Sequence, residues 1–449
     1  MKRIAIVVLL SSACLGLQPA CQAQDDVSRM EQVVQSYVSK KQFMGSVLVA
    51  RDQKLVLDKG YGFANLEWEI PNSPATKYRL GSVTKQFTAA SILQLEERGK
   101  LKVDDPVKKY MPDAPAAWDK VTIFNLLTHT SGIPSFTGFP DYGSTEAIPT
   151  TPEKLVARFR DKPLEFQPGE KWNYSNSGYA LLGYLIEKIS GQPYSQFVQE
   201  NIFAPLGMKD SGYDSNSAII LRRASGYSPG ADGPVNAGFI HMSIPFSAGG
   251  LYSTTEDLLR WEQGLFGGKL LSPASLQKMT TPFKNDYAFG LDVRTVNGHK
   301  VIEHGGGIEG FNTELAYYPE DKLTVIVLAD LNGDAPGEIA TKLAAVVHGE
   351  KVVLSSERKE MKVDPKVFGG YVGRYQLAPD FIISVTQEGD HLFVQATGQP
   401  KLEVFAESER DYFLKVVDAQ VTFVTDSHGR ATELILHQGG LDQHAKRLE

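Results

Sequence analysis

Residues 304–311 read HGGGIEGF, and the run continuing from Phe311, FNTELAYYPEDKLTVIVLAD (311–330), decides which fold these glycines belong to. Gly305, Gly307 and Gly310 form a G-x-G-x-x-G, Val301 and Ile302 look like a strand before it, and Asp330 closes an apolar run twenty residues after Gly310. That is the outline of a dinucleotide site, which requires a helix opening at the glycines. Instead Phe311, Thr313, Leu315 and Tyr317 alternate at period two, Pro319-Glu320-Asp321-Lys322 makes a turn, and Leu323 to Ala329 is a second strand. The glycines therefore join one strand to a hairpin, and their purpose has to be sought in the rest of the chain.

Outward from this hairpin, strands are predicted at 287–294 and 299–304, besides 311–318 and 323–329, and an early hairpin over 46–62 turns at Asp52-Gln53. Between them lie helices over Val83–Arg98, stopped by Gly99, over Tyr179–Ile189, closed by Ser190-Gly191, and over Thr255–Leu265, with Thr254 or Thr255 as cap. Helices between early and late strands predict one α+β domain, residues 28–348, whose sheet is assembled from both ends of the segment. Residues 349–364, GEKVVLSSERKEMKVD, are charged and aperiodic and read as a linker. Beyond it FIISVTQ, HLFVQAT, LEVFAE, YFLKVV, QVTFVT and ELILHQ are short strands without a helical pattern, so 365–449 is predicted to be a small all-β, barrel-like domain.

A length of 449 residues with 42% hydrophobic content accommodates a large domain and a small one. The start, MKRIAIVVLLSSACLGLQPACQAQ, has two basic residues, an apolar run from Ile4 to Leu17 and small residues at Cys21 and Ala23; residues 1–23 read as a secretory signal with Gln24 the first mature residue. The expected location is periplasmic or secreted, with a lipoprotein anchored at Cys21 as the alternative, against which stands Gln18 where an apolar residue is expected. Both cysteines, Cys14 and Cys21, lie in this segment, so cleavage after Ala23 would leave neither disulfide nor thiol chemistry. Cleavage would also remove Lys2 and Arg3 but no acid, leaving 44 basic against 53 acidic residues, a net charge of −9 that argues against a nucleic-acid partner. No later stretch approaches about twenty apolar residues, so no membrane span is expected after the signal. Oligomeric state is not legible.

Ser82, in LGSVTKQFTAASILQLEERGK, could be a simple helix cap. Lys85 lies one turn on, close enough to take the serine's proton if burial lowers its pKa. S-x-x-K alone is weak: about two chance matches are expected in a chain this long, and there are three, at Ser82/Lys85, Ser275/Lys278 and Ser356/Lys359. Only the first opens a long apolar helix. Tyr174-Ser175-Asn176, the one Y-x-N, immediately precedes a helix; Asn176 or Ser177 could cap it, or Tyr174 could shuttle protons while the Asn176 amide holds a substrate amide. His304-Gly305-Gly306 ends a strand, where successive glycines let a substrate approach backbone N–H groups. His437-Gln438-Gly439 repeats the H-x-G pattern in the β domain as a surface histidine, and His129 in LLTHTSGIP reads as a structural hydrogen-bonder. The other seven of the nine histidines, setting aside His304 and His437, show no paired ligand spacing, so no metal and no cofactor is expected. G-x-S-x-G and G-x-x-x-x-G-K-[ST] are both missing, which weighs against an α/β-hydrolase and a P-loop enzyme.

In order, Ser82-Val83-Thr84-Lys85, Tyr174-Ser175-Asn176 and His304-Gly305-Gly306 resemble the three active-site elements of the serine β-lactamase and penicillin-binding superfamily, in its class C β-lactamase and D-Ala-D-Ala carboxypeptidase branch. The flanks LLTHTSGIP, FAPLGMKDSGY and AGGLYSTTEDLLRW agree, and the likeness spans about residues 30–345. The resemblance implies an antiparallel sheet flanked by helices with a helical subdomain, followed by a lipocalin-like β domain over 367–449. It implies Ser82 as acylated nucleophile, Lys85 as its base, Tyr174 as proton relay, Asn176 on the acyl-side amide, and the N–H groups of Ser82 and Gly307 as oxyanion hole. Gly306 and Gly307 would be substrate-binding, and His304, where many β-lactamases have lysine, would contact a substrate carboxylate. The expected activity is a secreted serine hydrolase acting on a small peptide, ester or β-lactam; a carboxylesterase on the same scaffold and a penicillin-sensing or binding protein without turnover are the alternatives.

Overall fold

Leu323–Ala329 is buried along its whole length, which is why it reads as a continuous apolar run instead of an alternation. The computed structural model describes residues 18–354, 356–438 and 441–448. In it this segment is the strand β6 of a six-stranded antiparallel sheet made of β1 (Gly45–Arg51), β2 (Lys54–Tyr61), β3 (Asp292–Val296), β4 (His299–Ile308), β5 (Phe311–Tyr318) and β6, in the order β3-β4-β5-β6-β1-β2. The N-terminal hairpin pairs with the last strand, Gly45 opposite Ala329 and Arg51 opposite Leu323, so the sheet is closed from both ends of the domain as its pattern predicts.

Strand alternation sorts the side chains onto two faces. Val47, Val49, Val325 and Val327 pack against α1 (Gln18–Ser39) through Met30, Val33 and Val34, and against Ile339 and Leu343 of the late helix Ala335–Val347. Leu48, Ala50, Ile326 and Leu328 face the other way, into the core of the helical subdomain. At its centre is α2 (Thr84–Glu97), buried on every side from Thr84 to Leu95. A helix enclosed all round must satisfy its polar side chains internally. Thr88 Oγ1 donates to Ser247 O at 2.7 Å, Ser91 Oγ to Phe87 O at 2.8 Å, and Gln86 Oε1 accepts from Trp261 Nε1 at 2.9 Å. Phe87 stacks on Trp261 with centroids 4.0 Å apart and meets Phe203 edge-on at 5.7 Å.

Two further helices matter to the site: α3 (Asn176–Ser190) and α4 (Thr255–Phe266), with α5 the helix Ala335–Val347 already described. Thr254, of the two candidates, caps α4 by accepting from Asp257 N at 3.3 Å. α3 begins three residues before the predicted Tyr179, and neither Asn176 nor Ser177 is its cap: Ser175 is, its Oγ accepting from Gly178 N at 3.3 Å. The strand predicted from 287 starts only at Asp292, because Ala288 N bonds Leu291 O at 2.8 Å in a tight loop that turns Tyr287 inward. α1 corresponds to no predicted element. The signal expected over residues 1–23 lies outside the described residues up to Leu17, and its remainder is the start of α1.

The second domain is a closed antiparallel barrel of eight sequentially adjacent strands, β7 (Gly373–Ala378), β8 (Phe381–Glu388), β9 (His391–Ala396), β10 (Leu402–Ala406), β11 (Asp411–Phe413), β12 (Ala419–Thr425), β13 (Ala431–Gln438) and β14 (Leu441–Leu448). The short segments read from sequence account for six; β7 and β14 pair with each other and complete the closure. An eight-stranded barrel has room either for one small ligand or for side chains. Here side chains occupy it: Tyr371 stacks on Phe423 at 4.4 Å, with Tyr375, Tyr412, Leu392 and Leu434 around them. The barrel rests on α1 and α5, away from the helical subdomain. Lys342 pairs with Asp418 and also bonds Tyr37 Oη, Gln42 Nε2 donates to Val416 O at 3.2 Å, and Arg29 grips the carboxylate of Glu357 with two bonds of 2.5 and 2.6 Å.

Phe87→Ala would leave a cavity beneath Trp261 and is expected to destabilise the first domain by about 3–5 kcal/mol. Denaturant unfolding followed by tryptophan fluorescence checks this; a loss below 1 kcal/mol, on the order of a surface substitution, would mean that α2 is not the centre of the core.

Candidate active site

Leu80 to Val83 is not a regular helix start. Gly81, with φ +52°, turns the chain into a short 3-10 segment, Gly81–Val83, that runs into α2. Ser82 makes no capping hydrogen bond there, so its hydroxyl is free for other partners. Lys85, one turn on, brings Nζ to 2.9 Å from Ser82 Oγ. The same Nζ lies 2.9 Å from Asn176 Oδ1 and 2.8 Å from the Ala248 carbonyl. Both of these can only accept, so they take two amine hydrogens and leave the third tetrahedral position of Nζ for Ser82. In the ammonium form that position donates to Oγ; in the neutral amine its lone pair can receive the serine proton.

Burial alone lowers the Lys85 pKa well below its ordinary 10.5. The rings of Tyr174 and Tyr179, 4.8 and 5.5 Å from Nζ, favour the cation. Desolvation outweighs these contacts and favours the neutral amine. Tyr174 Oη donates to Ser82 Oγ at 2.8 Å. Its pKa is raised above the usual phenol value, by burial first and against the Ser82 hydrogen bond, so the phenol keeps its proton and is a donor.

Because Ser175 is the cap, Asn176 occupies the first helical position and its side chain is free to span Lys85 and Thr137, donating to Thr137 Oγ1 at 3.1 Å. The segment before it is held by His129, buried with φ +55°, whose Nδ1 accepts from Ser175 N at 3.1 Å. His129, Trp172, Tyr174 and Tyr287 make an aromatic wall behind the serine, with the His129 ring centroid 4.3 Å from that of Tyr174 and 4.6 Å from that of Tyr287.

The glycine strand approaches from the other side. β3 pairs with β4 only as far as Glu303, so residues 304–308 have no strand on that edge and run past the serine turn. A Cβ on Gly306 would fall 2.0 Å from Leu80 O, the atom to which Thr313 Oγ1 donates at 2.9 Å. Gly306 is thus committed to the backbone beneath Ser82. A Cβ on Gly81 would lie 2.8 Å from Gly307 N, which brings the serine turn and the Gly307 peptide together. A cleft of about 220 Å³ opens here, lined by Ser82, Asn176, Thr137, Tyr142, Gly307 and Glu309 among others.

His304 is not on that lining. Its ring is 4% exposed, with Nε2 3.0 Å from Tyr287 Oη and Nδ1 2.6 Å from Gly305 O. Burial first, then the nearby Lys85 charge, against the Gly305 carbonyl, pushes its pKa down to about 3. The structure therefore brings together Ser82, Lys85, Tyr174, Asn176 and Gly307, sets Gly306 under them, and turns His304 toward Tyr287. His437 is far off, on the barrel, between Thr422 and Asp442. Sequence reasoning missed the Ala248 carbonyl, Thr137, Tyr287 and Glu309. A backbone carbonyl leaves no mark on residue type, and the other three carry no motif.

The β-lactamase family model matches residues 30–349. The chain belongs to the β-lactamase family, whose members are serine hydrolases. Residues 357–448 match a separate family described only as a domain of unknown function, DUF3471. A penicillin-binding protein of Bacillus subtilis (strain 168) is 29% identical over 453 residues, covering 94% of this chain and 99% of that protein. The putative penicillin-binding protein PbpX of the same strain is 32% identical over 320 residues, covering 71% of this chain and 79% of its own length. Among solved structures, the octameric penicillin-binding protein homologue from Pyrococcus abyssi superposes with a TM-score of 0.68 at 27% identity, over 94% of this chain and 100% of that one.

With a folded pKa of about 3 against 6.5 unfolded, His304 is neutral in the native protein and binds its proton only on unfolding. Its contribution to stability is present above pH 6.5 and is lost as pH falls toward 3. NMR titration should find the ring neutral from pH 8 down to about pH 4, and His304→Gln should flatten the acid limb of stability; a midpoint near 6.5 would refute the enclosure described.

Proposed function

We propose that this protein is an exported hydrolase that opens amide or ester bonds through an acyl intermediate on Ser82, and that it takes small substrates bearing a free amine. The observation that carries the catalytic part is the three-way contact of Lys85 Nζ with Ser82, Asn176 and Ala248. In this reading the neutral Lys85 amine takes the Ser82 proton as Oγ adds to the substrate carbonyl. The oxyanion is held by the N–H groups of Ser82 and Gly307. Tyr174 gives its proton to the departing nitrogen or oxygen and is recharged from Lys85. Water then adds to the acyl group, its proton passing back through the same pair, and the acid is released with Ser82 restored. Asn176 holds the acyl-side amide through Nδ2 once Thr137 yields that bond.

The substrate class rests on charge. Among the residues lining the cleft there is no lysine, arginine or histidine, and the one carboxylate is Glu309. Glu309 Oε2 is buried without a hydrogen-bond partner. Burial raises its pKa, opposed by its own backbone N–H, and Glu146 raises it further against Arg79. A substrate ammonium would supply the missing donor and favour the ionised acid. A substrate carboxylate, such as the one on a penicillin, would meet no cation there, and the enclosed, neutral His304 does not replace it. A D-stereospecific amidohydrolase from Streptomyces sp., 25% identical with a TM-score of 0.62 over 74% of this chain, is a structural neighbour named for the amide cleavage proposed here. Export is supported by the leader pattern of residues 1–23, with 28–348 acting as the hydrolase domain, 349–364 as linker and 365–449 as the barrel.

Amino-acid p-nitroanilides and p-nitrophenyl esters, each with free and acetylated amine, test this in one panel. The free-amine forms should be turned over at least tenfold faster, Ser82→Ala should abolish all turnover, and Tyr174→Phe should lower kcat by about 10²–10⁴. Glu309→Gln should lose at least tenfold in kcat/KM on the amines and little on p-nitrophenyl butyrate. Intact mass after mixing with a penicillin should reveal slow and incomplete acylation; rapid stoichiometric acylation of Ser82 would overturn the amine preference, and turnover by Ser82→Ala would overturn the mechanism.

A further inference from the structure

Leu259, Glu262, Gln263 and Phe266 follow one another at helical spacing and share one face of α4. Beneath that face runs a row of directly opposed sheet residues, Ala50 on β1, Thr324 on β6 and Tyr317 on β5. Ala50 and Thr324 are small, and the helix does not close down on them. A cavity of about 250 Å³ remains between helix and sheet, lined by both sets of residues. It has no residue in common with the catalytic cleft.

Inside this cavity stands a carboxyl group without a partner. Glu262 is 3% exposed, and its Oε2 is buried with no hydrogen bond. Burial alone raises its pKa to about 8, with no neighbouring cation or donor to oppose the shift. Buried polar atoms that a protein leaves unsatisfied are uncommon, and each one costs the desolvation of that group. The walls beside it are apolar. Leu259 is buried, and the Phe266 and Tyr317 rings stack on each other with centroids 4.0 Å apart, which fixes them as one rigid side of the cavity.

We propose that this cavity is a second binding site, one that takes a small primary ammonium compound with an apolar body, the ammonium on Glu262 and the body against Leu259 and the Phe266–Tyr317 pair. An ammonium carries three N–H donors. Glu262 accepts one, and the Thr324 hydroxyl and the side-chain carbonyls of Gln53 and Gln263, all on the lining, are acceptors for the others. When the ligand enters, Glu262 gives its proton to solvent and a charge-assisted N–H···O pair forms in its place. The titratable groups that line the cavity besides Glu262 are Tyr317 and Lys322. Tyr317 keeps its proton, since burial first, then Glu262 and Asp321, raise its pKa. Lys322 is 63% exposed with Nζ 3.4 Å from Asp52 Oδ1, so solvent and that carboxylate screen its charge from the ligand. Along the chain Glu262 looks like any charged residue of an amphipathic helix, and no motif marks it.

The full chain carrying Glu309→Gln, which silences the amine contact proposed at the cleft, would be titrated with benzylamine by calorimetry, with benzyl alcohol as the uncharged control. One equivalent of benzylamine should bind at least tenfold more tightly than the alcohol. At pH 7 about 0.9 proton should be released per ligand, read from buffers of different ionisation enthalpy, and affinity should rise about tenfold from pH 6 to pH 7 and level off above 8. Adding Glu262→Gln, which keeps the side-chain shape, should weaken benzylamine at least tenfold with an unfolding midpoint no lower than that of Glu309→Gln alone. No binding of benzylamine, affinity unchanged by Glu262→Gln, or benzyl alcohol binding as tightly as the amine would overturn the proposal.

Discussion

Enclosing the Lys85 amine with no carboxylate bonded to it costs the desolvation of a charge, and the protein answers with three acceptors placed tetrahedrally around Nζ. Each comes from a different part of the fold: Ser82 from the turn before α2, Asn176 from the start of α3, and Ala248 from the short helix Phe246–Gly249, which packs against both. The chemistry therefore depends on the helical subdomain being assembled correctly. Burial of α2 on every side is what keeps water from Lys85, and keeping water away is what lowers its pKa.

The sheet supplies the other half. β4 outruns its neighbour β3, and the three glycines after His304 let its free edge run against the backbone of Leu80 and Gly81. Any side chain at Gly306 would collide with the Leu80 carbonyl, so close contact of two backbones, and no catalytic group, is what demands glycine there. The hairpin geometry that excludes a dinucleotide is thus the same geometry that places a peptide N–H beside the serine.

Electrostatics divide the site into a neutral wall and a charged mouth. His129, Tyr174, Tyr287 and His304 form the wall, and burial holds both histidines neutral. This wall offers Lys85 no anion that would keep it protonated from behind. At the mouth, Glu309 is a carboxylate without a bonded partner on its Oε2. The barrel contributes nothing to either; its filled interior and its seat on α1 and α5 keep it on the far side of the sheet.

Much of this is legible in the chain. Period-two alternation after Phe311 fixes the hairpin, the buried run Leu323–Ala329 announces a central strand, and the S-x-x-K that opens an apolar helix singles out Ser82 and Lys85 from two other matches. The eight-stranded closure is only partly legible, because β7 and β14 look like ordinary half-exposed segments until they pair. The start of α3 is ambiguous in sequence because Ser175, Asn176 and Ser177 are all good caps, and which one caps depends on His129 gripping the Ser175 N–H. The type of most elements and the change from a mixed domain to an all-β one follow from local periodicity, and the S-x-x-K, Y-x-N and H-x-G patterns name the candidate side chains, so the chain alone suffices for those. Tertiary contacts, by contrast, turn His304 away from the cleft and Glu309 into it, set a backbone carbonyl against Lys85, and enclose Glu262 between α4 and the sheet. Those outcomes depend on packing between segments far apart in the chain, and no local pattern encodes them.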